Sequence, residues 1–209
     1  KIAPYNYKNN QHTYKKVYNT KSININMVFG WIIGIALAVI VIMFIYYYNR
    51  LVSLSNQIDN SLSQIDVQLK KRSDLVPNLL ASVKGYMKHE RGAISEVTNA
   101  RKALMGATTM ESKVKAGTQL ESALKSIFAI AENYPQLRAS ENFMHLQQEL
   151  TSIEEKVAYA RQFYNDGILS YNNACTTFPG KLFASIYNRH EKEFLKIAQA
   201  ERAVPKVSF

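Results

Sequence analysis

The sequence predicts an all-α protein, in which an N-terminal single transmembrane helix continues into an antiparallel up-and-down four-helix bundle. Three observations predict this fold class. An apolar run without a charged side chain extends from Val28 to Tyr48, long enough as a helix to cross the roughly 30 Å hydrocarbon layer of a bilayer. Apolar residues then recur at steps of three and four, which is helical periodicity. Breaks containing proline or glycine separate these stretches, as short connections in a bundle require.

The N-terminal tail, residues 1–27, is basic. It contains no acidic residue and carries Lys1, Lys8, Lys15, Lys16 and Lys21. Half of the formal net charge of +10 therefore lies beside the apolar run, where anionic lipid headgroups explain a basic excess better than a nucleic acid does. We expect no nucleic-acid partner. Because the tail lacks an apolar period, it is predicted to be a mobile segment, with partial order near the apolar run as the alternative.

The apolar run, residues 28–48, is predicted to be an uncleaved anchor in the cell membrane, with the lipid bilayer as its partner. Signal-peptide cores are about 7–15 residues long, whereas this run is longer and ends in Tyr46, Tyr47 and Tyr48, an aromatic belt typical of a membrane interface. A buried core helix, the other alternative, rarely lacks polar side chains over such a length.

The distribution of positive charge predicts the orientation of this single-pass protein. The tail lysines lie on one side of the run, and Arg50 is the only basic residue close to its other side. By the positive-inside rule, the N-terminus is cytoplasmic and the bundle lies on the outer side. Gly30 and Gly34 form a small-xxx-small pattern in the run, which favours association between two such helices.

The first bundle helix is predicted to follow the run directly. Its apolar stripe comprises Leu51, Leu54, Ile58, Leu62, Ile65 and Leu69. Residues 70–72 are cations suited to a last turn, and Pro77 suits the first turn of a new helix. We therefore expect the first helix to end near Asp74 and a second to run from Pro77 to Gly106. A kinked, unbroken helix is the alternative.

Two further long helices complete the predicted bundle domain, residues 49–188. A third helix follows a turn at residues 106–111 and ends at Pro135, and Glu141 opens a fourth. The sequence Phe178-Pro179-Gly180 ends the fourth helix. A short helix is expected from Leu182 to Asn188, followed by a C-terminal amphipathic extension, residues 189–209.

Several short segments resemble the signature of LemA proteins. They occur in the expected order between Tyr48 and Tyr187, and they are residues 64–72, 74–79, 83–86, 89–90, 132–135, 141–143, 160–161, 164–165, 171–172 and 178–179. The resemblance implies one N-terminal membrane helix and an antiparallel four-helix bundle, and it implies no defined enzymatic activity. The N-terminus of this family is often drawn outside the cytoplasm, contrary to the charge argument, and the long tail departs from the family pattern. One relative serves in forming an internal bacterial membrane compartment, which by analogy points to membrane shaping.

The sequence offers no established catalytic template, so we expect no enzyme, no cofactor and no metal site. His145 lies four residues from both Glu141 and Glu149, but a di-iron bundle needs two Glu-x-x-His units. Phosphate-binding loops, dinucleotide fingerprints and nucleophile elbows do not occur in the sequence. Cys175 is expected to be a small buried hydrophobic residue without a neighbour that would activate its thiol.

Polar residues concentrate at the predicted helix junctions. The first group comprises Asp66, Lys70, Arg72, Asp74 and Asn78, with Pro77 as a further candidate between them, and the second comprises Glu132, Asn133, Arg138 and Glu141. Both junctions are predicted at the end far from the membrane. Capping and charge pairing that fix the register explain them most simply, and a recognition surface is the functional alternative. Glu90 and Arg101 lie on the apolar seam of the second helix and pair with a neighbouring helix or form a polar site.

Two functions fit these observations. The heptad-like regularity, typical of a coiled coil, and the aromatic belt favour a membrane-anchored scaffold or assembly module that forms homo-oligomers. The alternative is a regulatory or sensory accessory subunit of an unknown membrane protein partner. The Tyr-Asn pairs at residues 164–165 and 171–172 lie one heptad apart, so their tyrosines share a helix face and are expected in the core rather than in a ligand site.

Overall fold

The structure, a computed structural model, describes the backbone of residues 7–195 and the side chains from Met27 to Leu195. Within that range the regular structure is all α-helical. The helices are α1 (Tyr7–Lys84), α2 (Arg91–Gly106), α3 (Met110–Ala131), α4 (Pro135–Arg138), α5 (Glu141–Thr176) and α6 (Gly180–Ile186). The chain divides into two compact units, with the boundary between Arg50 and Leu51.

The first unit contains the apolar run. Among the described residues, one helix is long and apolar enough to cross a membrane, and none of its most apolar window is buried inside the protein. At the end of the run, Arg50 donates a hydrogen bond from Nη1 to the Tyr46 hydroxyl at 3.0 Å. Residues 7–26 of the tail are helical, more order than the expected partial order near the run, and residues 1–6 lie outside the described chain.

The second unit contains the hydrophobic core, formed by α2, α3, α5 and the part of α1 from Leu51 onward. Contacts between side chains define the helix directions. Lys113 and Glu121 of α3 contact Asp66 and Arg72 of α1 respectively, so α1 and α3 run parallel. Lys125 and Phe128 of α3 contact Glu154 and Phe143 of α5, so α3 and α5 run antiparallel.

The predicted apolar stripes are confirmed by burial. On α1 the buried members are Leu51, Ile58, Ile65 and Leu69. On α5 they are Phe143, Leu150, Ile153, Val157, Tyr164, Ile168 and Tyr171. The steps of three and four turn one face of each helix toward the core, and burial of that face is the main stabilising contribution.

The predicted end of the first helix near Asp74 is wrong, because α1 continues through Pro77 to Lys84. Proline removes the amide that would bond the carbonyl four residues earlier, which here belongs to Ser73. The Arg101 Nε donates to that Ser73 oxygen at 2.8 Å. A guanidinium from α2 therefore replaces the missing bond, and the helix is not interrupted.

The predicted second helix from Pro77 is corrected accordingly. The connection lies at residues 85–90, and α2 begins at Arg91. Other boundaries agree more closely: α5 begins at Glu141 as predicted and ends two residues before Phe178, and α6 begins two residues earlier than expected. Residues 191–195 are not helical, and the rest of the predicted C-terminal amphipathic extension lies outside the described residues.

Candidate functional site

Arg72 lies in the interior of the second unit, with only 2% of its surface exposed. Its Nη1 donates to the Gly117 carbonyl at 3.3 Å and lies 3.7 Å from Glu121 Oε2. Gly117 allows α3 to approach α1 at this level, since a Cβ there would lie 2.7 Å from the Leu69 side chain. The absence of a side chain at Gly117 thus allows the Gly117 carbonyl and the Glu121 carboxylate to reach the buried Arg72 guanidinium.

The ion pair of Arg72 extends outward into a network between α3 and α5. Lys125 Nζ lies 2.7 Å from Glu121 Oε1 and 2.9 Å from Glu154 Oε1. Lys125 is largely exposed whereas Glu121 is mostly buried, so the network runs from the interior to the surface. It connects α1, α3 and α5 at one level.

The pKa shifts in this network follow from burial and pairing. Burial lowers the pKa of Arg72, against the opposing effect of Glu121 and Glu154, and the guanidinium remains charged. Burial raises the pKa of Glu121, but its hydrogen bonds and the charges of Lys125 and Arg72 prevail and lower it. Hydrogen bonds to Glu121 and Glu154 raise the pKa of Lys125. Pairing thus favours the charged forms of Glu121 and Lys125.

A small cavity of about 10 Å³ adjoins the network, lined by Arg72, Thr118, Glu121 and Arg161 among others. This volume is about that of one water-sized probe, too small for an organic substrate. No cluster of three or more metal-ligating side chains occurs among residues 27–195. The interior thus has the properties of a structural ion network.

The predicted junction residues occupy two separate places. Asp66, Lys70, Arg72 and Asp74 lie within α1 rather than at its end, where Asp66 pairs with Lys113 at 2.6 Å and Lys70 pairs with Asp74 at 3.1 Å. Pro77 and Asn78 are exposed on the same helix. The first predicted junction is therefore a set of contacts along α1, and the expectation that it forms a helix end is wrong.

The observed connection between α1 and α2, residues 85–90, contacts the segment between α3 and α5. The Tyr134 hydroxyl donates to Glu90 Oε1 at 3.3 Å, and burial together with the neighbouring Glu90 charge raises the pKa of Tyr134. Glu90 is thus a pairing residue, like Arg101. The remaining predicted residues of this end, Glu132, Asn133, Arg138 and Glu141, are exposed.

An apolar groove of about 470 Å³ lies between α1 and α5. Asn60, Gln64 and Gln68 line it from α1, and Tyr159 and Phe163 line it from α5. Tyr159 is 71% exposed. This surface was not predicted, although Tyr159 and Phe163 lie off the buried stripe of α5, and helical spacing could have indicated that they are exposed.

The Tyr-Asn pairs of α5 have a role that the sequence did not reveal. Tyr164 and Tyr171 are buried as expected. The two asparagines bind the main chain of residues 192–195, which we call the strap: Asn172 bonds both the amide and the carbonyl of Lys192 at 2.9 Å, and Asn165 Oδ1 accepts from the Leu195 amide at 3.1 Å. Two asparagines seven residues apart on one helix are the sequence signal that could have indicated this role.

Cys175 is a buried free cysteine. Burial raises the pKa of its thiol, so the thiolate needed for nucleophilic attack is disfavoured. This agrees with the expectation of a buried structural residue.

Taken together, the described chain defines an all-helical protein with one candidate membrane-spanning helix and an interior occupied by structural ion pairs. The sequence model of the LemA family matches residues 61–209, and the chain belongs to the LemA family.

Individual relatives are distant. Protein LemA of Metamycoplasma hominis is 24% identical, over 83% of this chain and 81% of the relative. Magnetosome protein MamQ of Magnetospirillum gryphiswaldense is 24% identical over 66% of this chain and 61% of that protein, and MamQ 2 of Paramagnetospirillum magneticum is 21% identical over 71% and 64%. The chain thus spans less than two thirds of the length of either MamQ protein.

Proposed function

We propose that this protein is a non-catalytic, membrane-anchored scaffold that assembles into homo-oligomers on the bilayer. The observation that best supports this proposal is that the charges of the interior are paired whereas an apolar surface is left open. The buried Arg72 and the carboxylates of Glu121 and Glu154 are engaged in contacts between helices, while an apolar groove with exposed aromatic side chains remains open on the outside. A surface of this kind is typical of protein association.

The scaffold consists of an up-and-down four-helix bundle made of residues 51–84, α2, α3 and α5. The helix directions support this arrangement, because α1 and α3 run parallel and α5 runs against them. Contact between Glu90 and Tyr134 at the opposite ends of α2 and α3 supports an antiparallel α2. Such a bundle presents long, regular faces to a second copy.

The partner in the groove is a second copy of this chain. The groove offers apolar contact at Tyr159 and Phe163 and amide groups at Asn60 and Gln64, a combination suited to a helix of mixed polarity. Within the span, Gly30 and Gly34 form a small-xxx-small pattern, which allows close approach of another helix.

The protein is anchored in the cell membrane with its N-terminus in the cytoplasm and the bundle outside. Its lysine-rich tail and the single Arg50 beyond the run support this orientation. Two relatives named as magnetosome proteins support a membrane-associated role. The bilayer and the second copy are the proposed partners, without a nucleic acid.

The mass of the full-length protein in mild detergent tests the scaffold. We expect a defined oligomer whose mass decreases in the double variant Tyr159→Ser with Phe163→Ser. The matched control is Leu169→Ser, since Leu169 is an exposed apolar residue of α5 outside the groove. A monomer in the wild-type protein would contradict the proposal, and a loss of mass in the control would contradict the assignment of the groove.

A second function, a regulatory or sensory accessory subunit of another membrane protein, is favoured by one observation. A buried charged network costs desolvation that well-packed apolar residues would avoid, and a protein that changes conformation has a use for such a network. Cross-linking in intact membranes would identify the partner protein that this function requires.

A further inference from the structure

Large apolar side chains in α6 and just before it are exposed. Phe178 is 84% exposed, Leu182 58% and Ile186 62%. Leu182 and Ile186 are four residues apart on the same helix and therefore share a face. Gly180, Phe183 and Ala184 are buried. One apolar face of α6 therefore packs on the core, and a second apolar face is exposed. We call Phe178, Leu182 and Ile186 the α6 patch.

The strap fixes this region to a particular point of α1. Lys192 Nζ donates to Ser55 Oγ at 2.9 Å and lies 5.1 Å from the centroid of the Tyr171 ring. In the sequence, Ser55 follows Tyr48, the end of the apolar run, by seven residues. A chain of this length extends to at most about 25 Å. The strap therefore binds α1 at a residue that follows the apolar run closely in the sequence.

The charges next to the α6 patch complement an anionic membrane surface. Lys181 and Arg189 are exposed, and residues 178–190 contain no acidic side chain. Lysine and arginine near a bilayer gain from attraction to anionic headgroups. Glu191 and Glu193 follow in and beside the strap, so the basic character belongs to α6 and its flanks rather than to the whole C-terminal region.

We propose that the α6 patch docks into the headgroup–acyl boundary of the same bilayer that the N-terminal helix spans. Large apolar side chains beside basic ones are the composition of helices that lie in a membrane interface, with the apolar face about 5–10 Å deep. The second contact restrains the bundle at the membrane surface, which a single spanning helix does not do. The inference rests on the proposed anchoring by the apolar run.

Tryptophan quenching in proteoliposomes tests the docking in the full-length protein. The vesicles contain phosphatidylglycerol and a phosphatidylcholine brominated near the top of its acyl chains, since bromine quenches only nearby indoles. Trp31 is the single native tryptophan and lies in the apolar run, so the wild-type protein reports on anchoring. The double variant W31F/F178W reports on docking, and W31F/I186W is a second reporter on the patch.

The control variant is W31F/M144W, because Met144 is exposed at the opposite end of α5. We expect quenching of the F178W and I186W reporters comparable to that of Trp31, and no quenching of the M144W reporter. Quenched Trp31 with unquenched, water-like emission from F178W and I186W would overturn the docking and leave the anchoring intact. Blue-shifted but unquenched reporters would also overturn it, showing that protein covers the patch. Unquenched wild-type Trp31 would overturn the anchoring itself.

Discussion

At the scale of single residues, Arg101 illustrates how a distant side chain can compensate a local defect. Pro77 withdraws one amide from α1, and the affected carbonyl belongs to Ser73, which is 4% exposed. A buried carbonyl without a donor costs about 1–3 kcal/mol. The bond from Arg101 removes this cost, so the sequence rule that proline ends a helix does not apply.

We predict that Arg101→Ala lowers the free energy of unfolding by about 1–3 kcal/mol. In a Pro77→Ala background the same substitution is expected to cost about 1 kcal/mol less, because the new amide at position 77 can donate to the Ser73 carbonyl. Thermal and denaturant unfolding of the detergent-solubilised protein, followed by circular dichroism, measures both effects.

Arg91→Ala is the matched control for this cycle, since Arg91 is an exposed arginine of the same helix. Its effect is expected to be small and independent of residue 77. Equal costs of Arg101→Ala with and without Pro77 would show that the arginine does not act through the Ser73 carbonyl.

At the scale of elements, the strap runs along α5 in the opposite direction and is held by two asparagines of that helix. The asparagines at 165 and 172 are one heptad apart, which is about 10 Å along a helix. The three residue steps from Lys192 to Leu195 cover about the same distance in an extended chain. Asparagine side chains spaced in this way bind the main chain of the strap at Lys192 and Leu195, and the Lys192 side chain adds a hydrogen bond to Ser55.

We predict that Asn172→Ala releases the strap and accelerates tryptic cleavage after Lys192 and Arg189. The substitution removes two hydrogen bonds to Lys192, each contributing about 0.5–1.5 kcal/mol. Cleavage of the native protein should therefore accelerate about tenfold. Mass spectrometry of the C-terminal fragments measures the rate.

The control for the strap is Asn173→Ala, the exposed asparagine next to it. It should leave the cleavage rate near that of the wild type. If both variants are cleaved at the wild-type rate, the bonds from Asn172 do not hold the strap in place.

At the scale of the whole molecule, the sequence predicts the all-helical class and the approximate positions of α3 and α5, because the apolar periodicity of these helices is strong. It fails where a contact from a distant element decides the outcome, as at Pro77. The site was harder to predict for the same reason. Arg72 was singled out as a junction residue, but its partners Glu121 and Glu154 are far away in the sequence, and only packing brings them together.

The ion network makes the stability of the molecule depend on pH. The pKa of Glu121 is lower in the folded protein than its ordinary value of 4.5. The native state therefore binds fewer protons than the unfolded state in this range, and stability falls as the pH falls. Protonation of Glu121 would also leave Arg72 without its nearest carboxylate, and the net charge of +10 would become more positive.

We predict that the wild-type protein loses stability as the pH falls below 4.5, the ordinary pKa of Glu121, and that part of this loss is absent in Glu121→Gln. Glu121→Gln should be less stable than the wild type at neutral pH, because the amide cannot balance the buried Arg72 charge, and the two curves should converge in acid. Unfolding monitored by circular dichroism across this pH range measures the difference. Glu96→Gln, at an exposed position of α2, should follow the wild-type curve with a small offset. Parallel curves for wild type and Glu121→Gln would exclude Glu121 as the source of the acid sensitivity and locate it in other carboxylates.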